Sequence, residues 1–117
     1  MALITGATGQ DGLYMTAHLL FRQTGWKVHA IVRKNSLYLP LLEHMRLSVD
    51  SRLHLHYGDI TDAFFVLNLL STVRPSHVYN FAAQSHVAHS FVTPVTTFDT
   101  NTHGLMTICE SLIKLHL

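Results

Sequence analysis

Three evenly spaced glycines follow the first apolar segment of the chain. Residues 3–15 read LITGATGQDGLYM, in which Gly6, Gly9 and Gly12 come directly after a short buried-strand pattern. Glycine is unfavourable where the backbone does not need it, because it loses the most conformational freedom on folding. A helical pattern of apolar residues comes next. The stretch therefore predicts a strand, a tight glycine turn and a helix in direct succession.

Strand and helix patterns alternate along the rest of the chain. Strands are predicted over residues 2–5, 27–32, 53–57 and 77–81, and helices over 11–23, from about 40, over 63–73 and from 94 or 95 to 115. Thr61 or Asp62 is the expected N-cap of the third helix. Such alternation predicts a parallel sheet with right-handed crossovers. We expect an α/β fold with a doubly wound parallel sheet, truncated after about four strands, as one partial domain over residues 1–117.

The composition limits the classes of partner and the compartment. The chain is 48% hydrophobic and 13% charged, with a formal net charge of +1, so it predicts a buried core and no basic surface for nucleic acid. No stretch approaches the roughly 20 apolar residues of a membrane span, and the amino terminus lacks a signal-peptide pattern. The single Cys109 fits a reducing compartment. We expect a cytoplasmic protein with no nucleic-acid or membrane partner.

The glycine spacing points to a phosphate. In a strand–turn–helix unit, the first glycine allows the turn, the second lets the backbone approach a pyrophosphate, and the third allows close helix–strand packing. The phosphate then lies on free N–H groups at the positive end of the helix dipole. The spacing here, G-x-x-G-x-x-G, differs by one residue from that of ordinary dehydrogenases. A glycine triplet alone is weak evidence, but its position after the first strand favours a Rossmann-type dinucleotide site.

The ends of the other strands add to this site. NAD enzymes carry an acidic residue after the second strand, which binds the ribose 2′-hydroxyl. Here Arg33 and Lys34 occupy that place, and such cations attract a 2′-phosphate, so the sequence favours NADP over two merely solvated surface cations. Asp59 follows the third strand, and the small Ala82 and Ala83 follow the fourth. Ligands gather at the carboxyl ends of strands in these sheets.

Four segments of the chain form a recognisable set: ITGATGQDG, IVRKNS, HYGDITD and YNFAAQSHVAHSF. Together they resemble the extended short-chain dehydrogenase/reductases and, within them, the GDP-mannose 4,6-dehydratase family. The pair Gln10–Asp11 is the discriminating element, and the resemblance extends over residues 2–115. It implies an NADP-dependent lyase of GDP-fucose biosynthesis that converts GDP-mannose to GDP-4-keto-6-deoxymannose and water. It also implies a homo-oligomer in the full-length form. The neighbouring alternative is a sugar-nucleotide reductase or epimerase.

The resemblance also implies a set of binding residues. The cofactor would be held by Gly6, Ala7, Thr8, Gly9, Gln10, Asp11 and Gly12 at the pyrophosphate, Arg33, Lys34, Asn35 and Ser36 at the 2′-phosphate, Asp59 and Ile60 at the adenine, and Phe81, Ala82, Ala83, Gln84 and Ser85 on the ribose and nicotinamide side. Ser85 and Ser90 would face the sugar nucleotide.

The catalytic groups of the family lie after a fifth strand. No Tyr in these 117 residues is followed four positions later by Lys, so we expect this chain alone to contain no catalytic residue and to be inactive. A non-catalytic, truncated dinucleotide-binding module is the alternative. The loop at 37–45 departs from the family pattern, and Thr96 stands where the family often has a Tyr. An unprotected fourth strand predicts self-association.

Two further patterns are expected to be structural. His54 and His56 share a strand face, and His86 and His89 are three residues apart, but neither pair has a cysteine or clustered carboxylates beside it. We therefore expect no metal site. The apolar residues of the third helix, Phe64 included, are expected in the core because they recur at helical spacing.

Overall fold

A four-stranded parallel sheet forms the centre of the protein. The computed structural model describes residues 1–22, 25–34, 36, 39–47 and 49–117. The strands are β1 (Ala2–Thr5), β2 (Val28–Val32), β3 (Leu53–Tyr57) and β4 (His77–Asn80), in the order β3-β2-β1-β4. Each strand lies within one residue of its predicted bounds. All three pairs of adjacent strands are parallel, which confirms the predicted α/β class.

Helices cover both faces of this sheet. On one face, α1 (Gln10–Phe21) and α2 (Leu39–His44) pack over Ala2 and Ile4 of β1. On the other face, α3 (Ala63–Val73) and α6 (Gly104–Leu115) pack over Leu3. Successive residues of a strand point to opposite faces, so the short β1 contributes to both cores and is fully buried. This arrangement is the expected doubly wound one.

Helix α3 begins as predicted but does not bury all its apolar residues. The carboxylate of Asp62 accepts a hydrogen bond from the backbone N–H of Phe65 at 3.0 Å, which makes Asp62 the N-cap. The buried stripe consists of Val66, Leu69, Leu70 and Val73. Phe64 lies off that stripe and is 77% exposed. Its assignment to the core was wrong because helical spacing alone does not say which face of the helix packs against the sheet.

The carboxy-terminal helical segment is not one continuous helix. It consists of α4 (Val87–Val92), which was not predicted, α5 (Pro94–Phe98), a π-helical turn (Asp99–His103) and α6. Pro94 starts α5 because proline suits the first turn of a helix. The π-helical turn lies in the polar run DTNTH, which breaks the apolar periodicity. In the part of the chain that the structure describes, no helix is long and apolar enough to cross a membrane.

Candidate functional site

The glycine turn after β1 is built by close backbone packing. Gly6 has a positive φ of 63°, and a Cβ there would lie 2.7 Å from the backbone of Phe81 and Ala82. The N–H of Gly9 donates to the carbonyl oxygen of Gly6 at 2.9 Å and closes the turn. A Cβ at Gly12 would collide with that same carbonyl oxygen. Gly6 and Gly12 are therefore required by space, and they bring α1 and the end of β4 against one turn.

The amino end of α1 is open. Gly9 is the N-cap residue, with extended backbone (φ −77°, ψ 167°), and it carries no side chain to cap the helix. A Cβ at Gly9 would meet only the carbonyl oxygen of Gly6, at 3.2 Å. The first N–H groups of a helix have no acceptor inside the helix. These groups and the positive end of the dipole suit a phosphate, and Gln10 and Asp11 lie in this first turn.

A buried hydroxyl joins the ends of β1 and β4. The hydroxyl of Thr5 donates to Oδ1 of Asn80 at 2.5 Å and accepts from the N–H of Ala82 at 3.0 Å. Thr5 is fully buried, whereas its partner Asn80 is exposed, so the two bonds are partly buried. They hold Ala82 beside Gly6. The local sequence pattern does not indicate this role, because it identifies Thr5 only as the last residue of a strand.

A cleft of about 450 Å³ lies at the carboxyl ends of β2 and β3, lined by Arg33, Lys34, Tyr57, Gly58 and Asp59. Both cations are exposed. Oδ1 of Asp59 accepts from the N–H of Thr61 at 2.9 Å and from its hydroxyl at 2.8 Å, which fixes the turn after β3. The structure thus brings two predicted cations and the predicted acid into one cleft.

The other predicted site residues differ in exposure, and some of them lie outside the described residues. The side chain of Ile60 is buried against Gly104 in the core, so any contact with an adenine would come from its backbone. Ser85 is exposed, whereas the hydroxyl of Ser90 donates to the carbonyl oxygen of Val87 at 2.6 Å. Asn35 and part of the loop at 37–45 lie outside the described residues. These assignments stay predictions.

A polar clasp fixes the loop after β4. The N–H of Gln84 donates to Oδ1 of Asn101 at 2.7 Å, and Nδ2 of Asn101 donates to the carbonyl oxygen of Gln84 at 3.2 Å. The side-chain amide of Gln84 also donates to the hydroxyl of Thr97 at 3.2 Å and accepts from the N–H of His86 at 2.6 Å. Asn101 belongs to the π-helical turn, and the polar run around it was the only sequence signal for it.

Five of the ten histidines form two local structures apart from the cleft. Nδ1 of His29 lies 2.9 Å from Nε2 of His56, and the ring of His29 stacks on that of His54 at 4.7 Å. Burial and then the charge of His54 lower the pKa of His56. Nδ1 of His86 accepts from the N–H of His89 at 3.3 Å and caps α4. Among the described residues, no group of three or more His, Cys, Asp or Glu side chains is arranged to hold a metal ion.

One known protein family matches nearly the whole chain. A family model described as GDP-mannose 4,6 dehydratase matches residues 3–117. The chain belongs to the GDP-mannose 4,6-dehydratase family. The predicted resemblance is thereby confirmed over nearly the whole chain. In this member of the GDP-mannose 4,6-dehydratase family, the discriminating Gln10–Asp11 pair forms the start of α1 at the open glycine turn.

Curated relatives agree with this assignment, and a solved structure shares the fold. The GDP-mannose 4,6-dehydratase of Vibrio cholerae is 41% identical, over 100% of this chain and 32% of its own length. That of Sordaria araneosa is 44% identical, over 99% of this chain and 20% of its own length. The chain therefore spans a third or less of these relatives. A dTDP-glucose 4,6-dehydratase from Streptomyces venezuelae, solved with NAD and TYD bound, shares the fold: TM-score 0.82, 24% identity, 99% of this chain and 36% of that one.

Proposed function

We propose that residues 1–117 bind NADP as the cofactor-binding part of a GDP-mannose 4,6-dehydratase. Such an enzyme is a lyase of GDP-fucose biosynthesis that converts GDP-mannose to GDP-4-keto-6-deoxymannose and water. The observation that carries the proposal is the cleft in which Arg33 and Lys34 lie at the carboxyl ends of the strands. The names of the relatives support GDP-mannose as the substrate. A structural neighbour solved with NAD supports a dinucleotide as the cofactor.

The residues present fit the phosphate groups of NADP. The open first turn of α1 at Gly9 would hold the pyrophosphate through its N–H groups. Arg33 and Lys34 would neutralise the 2′-phosphate, and a guanidinium can bind a phosphate through two parallel hydrogen bonds. The end of β2 offers no carboxylate to a ribose 2′-hydroxyl. When bound, NADP would supply the hydride acceptor and donor of the reaction.

The chain's own part in the reaction is to bind and position. Small side chains at Ala82 and Ala83 would let the backbone pass close to the ribose, and the clasp on Gln84 holds that loop in place. Ser85 and Ser90 are proposed to face the sugar nucleotide. These 117 residues contain no Tyr-x-x-x-Lys pair, so we assign them no proton transfer.

Exposed side chains bear on the assembly and the compartment of the protein. We propose a homo-oligomer, supported by the large apolar side chains that α4 and α5 expose, with Phe91 at 81% and Val95 at 72%. We place the protein in the cytoplasm, since the exposed Cys109 carries a free thiol and free thiols persist in reducing compartments.

The cofactor assignment is tested by Arg33→Ala. We expect its affinity for NADP to fall roughly 10- to 100-fold, because a hydrogen bond to a charged group contributes about 1.5–3 kcal/mol. The affinity for NAD should stay nearly unchanged. Dissociation constants for both dinucleotides are measured by titration of wild type and variant.

Two controls accompany this titration. Lys27→Ala removes an exposed cation just before β2, at the amino end of that strand and so at the end of the sheet opposite the cleft, and should leave both affinities intact. Gly9→Val should abolish binding of NADP and NAD alike, because its side chain occupies the place of the pyrophosphate. Equal losses of NADP and NAD in Arg33→Ala would contradict the 2′-phosphate assignment.

A further inference from the structure

Two histidine rings share a hydrogen bond at the edge of the sheet. Nδ1 of His29 on β2 lies 2.9 Å from Nε2 of His56 on β3, and the two ring planes are inclined by only 15°. Both side chains are half-buried. Among the described strands, β3 pairs only with β2. A bond between side chains of these two strands therefore helps to fix where the edge strand lies.

The number of protons on the two rings decides whether this bond can exist. A neutral imidazole has one N–H donor and one acceptor nitrogen, whereas a protonated imidazole has two donors and no acceptor. Whichever of the two rings donates, the other ring must be neutral so that it can accept. When both rings are protonated, two N–H groups and two positive charges face each other, and repulsion replaces the bond.

Among the described residues, the charged groups that act on His29 are all positive. The ring of His54 stacks on it with the ring centres 4.7 Å apart, Lys27 precedes β2, and the amino-terminal group of Met1 precedes β1. Helix α3 contributes no ionisable side chain. A groove of about 440 Å³ lies between β3 and α3, and its lining is His56, Phe64, Phe65, Asn68, Leu69 and Thr72. Burial and then the charges of His56 and His54 lower the pKa of His29 from 6.5 to about 4, which confines double protonation to acid.

The end of β3 connects this histidine pair to the dinucleotide cleft. His56 is followed directly by Tyr57, Gly58 and Asp59, which line the cleft. The ring of Phe65 on α3 lies so close to Gly58 that a Cβ there would come within 2.4 Å of it. Phe65 and His56 also line the same groove. A shift of His56 is therefore passed to the wall of the cleft, both along the backbone and through the ring of Phe65.

We propose that the hydrogen-bonded rings of His29 and His56 form an acid-sensitive latch that holds the carboxyl end of β3 in position for dinucleotide binding. Both are positioning residues, since neither lines the cleft. The latch has this role only if the cleft binds a dinucleotide, as proposed above. It is closed while at most one of the two rings is protonated, and it opens when both are.

The experiment measures the affinity of the full 117-residue chain for NADP at pH 7. His29→Phe and His56→Phe each keep a ring but remove the nitrogen that makes the bond. We expect each variant to bind NADP roughly two- to fivefold more weakly, up to the factor that one net hydrogen bond supplies. The double variant should bind no more weakly than either single one, because residues that act through one contact are not additive. His54→Phe removes a ring that stacks on His29 without bonding to it, and it should leave the affinity unchanged.

A pH profile separates the latch from a merely structural role. Between pH 7 and pH 4 the wild type should lose roughly twofold more affinity for NADP than His29→Phe does, because a group with a pKa near 4 is half protonated at that pH. The comparison with His29→Phe cancels the titration of the 2′-phosphate, which takes up a proton at about pH 6. Circular dichroism at each pH checks that wild type and variants remain folded.

Three outcomes would overturn the latch. Wild-type affinity in both single variants at pH 7 would show that the bond does not support binding. Losses that multiply in the double variant would show that the two rings act separately. An acid response that is equal in wild type and His29→Phe, or that follows unfolding, would place its origin elsewhere. In each case the wild type would still bind NADP at pH 7, so the proposed function would survive. A wild-type chain that does not bind NADP at pH 7 would refute both.

Discussion

At the scale of single residues, His29 couples the stability of the fold to pH. Burial, and then the charges of His56 and His54, lower the pKa of His29 from 6.5 to about 4. Between these two values the unfolded chain binds more protons at this ring than the folded protein does. The contribution of the neutral ring to stability is therefore complete above pH 6.5 and is lost as the pH falls towards 4.

We expect the melting temperature to fall by roughly 3–6 °C between pH 7 and pH 4.5 through this ring. The figure corresponds to about 1 kcal/mol, which discounts the full pKa shift because the ring is partly exposed to solvent. His29→Gln should remove most of that fall, as measured by thermal unfolding at several pH values. His44→Gln, at an exposed histidine of α2, is the control. A pH dependence unchanged in His29→Gln would refute this origin.

At the scale of elements, the π-helical turn holds the loop that follows β4. We expect Asn101→Leu to lower the hydrogen-exchange protection of the Gln84 amide roughly fivefold, because that amide loses its acceptor and a net hydrogen bond contributes about 1 kcal/mol. Asn101→Asp keeps the acceptor of that amide but loses the Nδ2 donor to the carbonyl oxygen of Gln84, so it should retain only part of the protection. Thr102→Leu changes an exposed neighbour in the same turn and is the matched control. Wild-type protection in Asn101→Leu would show that the clasp does not hold the loop.

The elements also show what sequence patterns can and cannot predict. The four strands and α3 were predictable because short apolar runs and helical periodicity involve residues that are close together in the sequence. The glycine turn was predictable because Gly6 is required by its backbone conformation. The bond between Thr8 and Ser36 was not, because a contact across 28 positions leaves no local pattern. The π-helical turn was missed for a related reason, since its role lies in a contact with Gln84.

At the scale of the whole molecule, the chain leaves both an open sheet edge and apolar surface. β4 pairs with β1 and, among the described strands, with no other. Its sequence, HVYN, contains no lysine or proline to discourage pairing with another chain. The exposed large apolar residues of α4 and α5 are Val87, Phe91, Val92, Val95 and Phe98. Exposed large apolar side chains clustered on two consecutive helices are typical of surfaces that associate.

We therefore expect a polypeptide of these 117 residues to self-associate at micromolar concentration, as measured by sedimentation velocity. Phe91→Glu with Val95→Glu should reduce the association, whereas Phe64→Glu, at a similarly exposed site on α3, should not. NADP at a hundredfold excess over its dissociation constant should add about 2.7 kcal/mol to the stability, because it binds only the folded state. A monodisperse monomer whose melting temperature does not respond to NADP would contradict both the exposed-edge argument and the cofactor site.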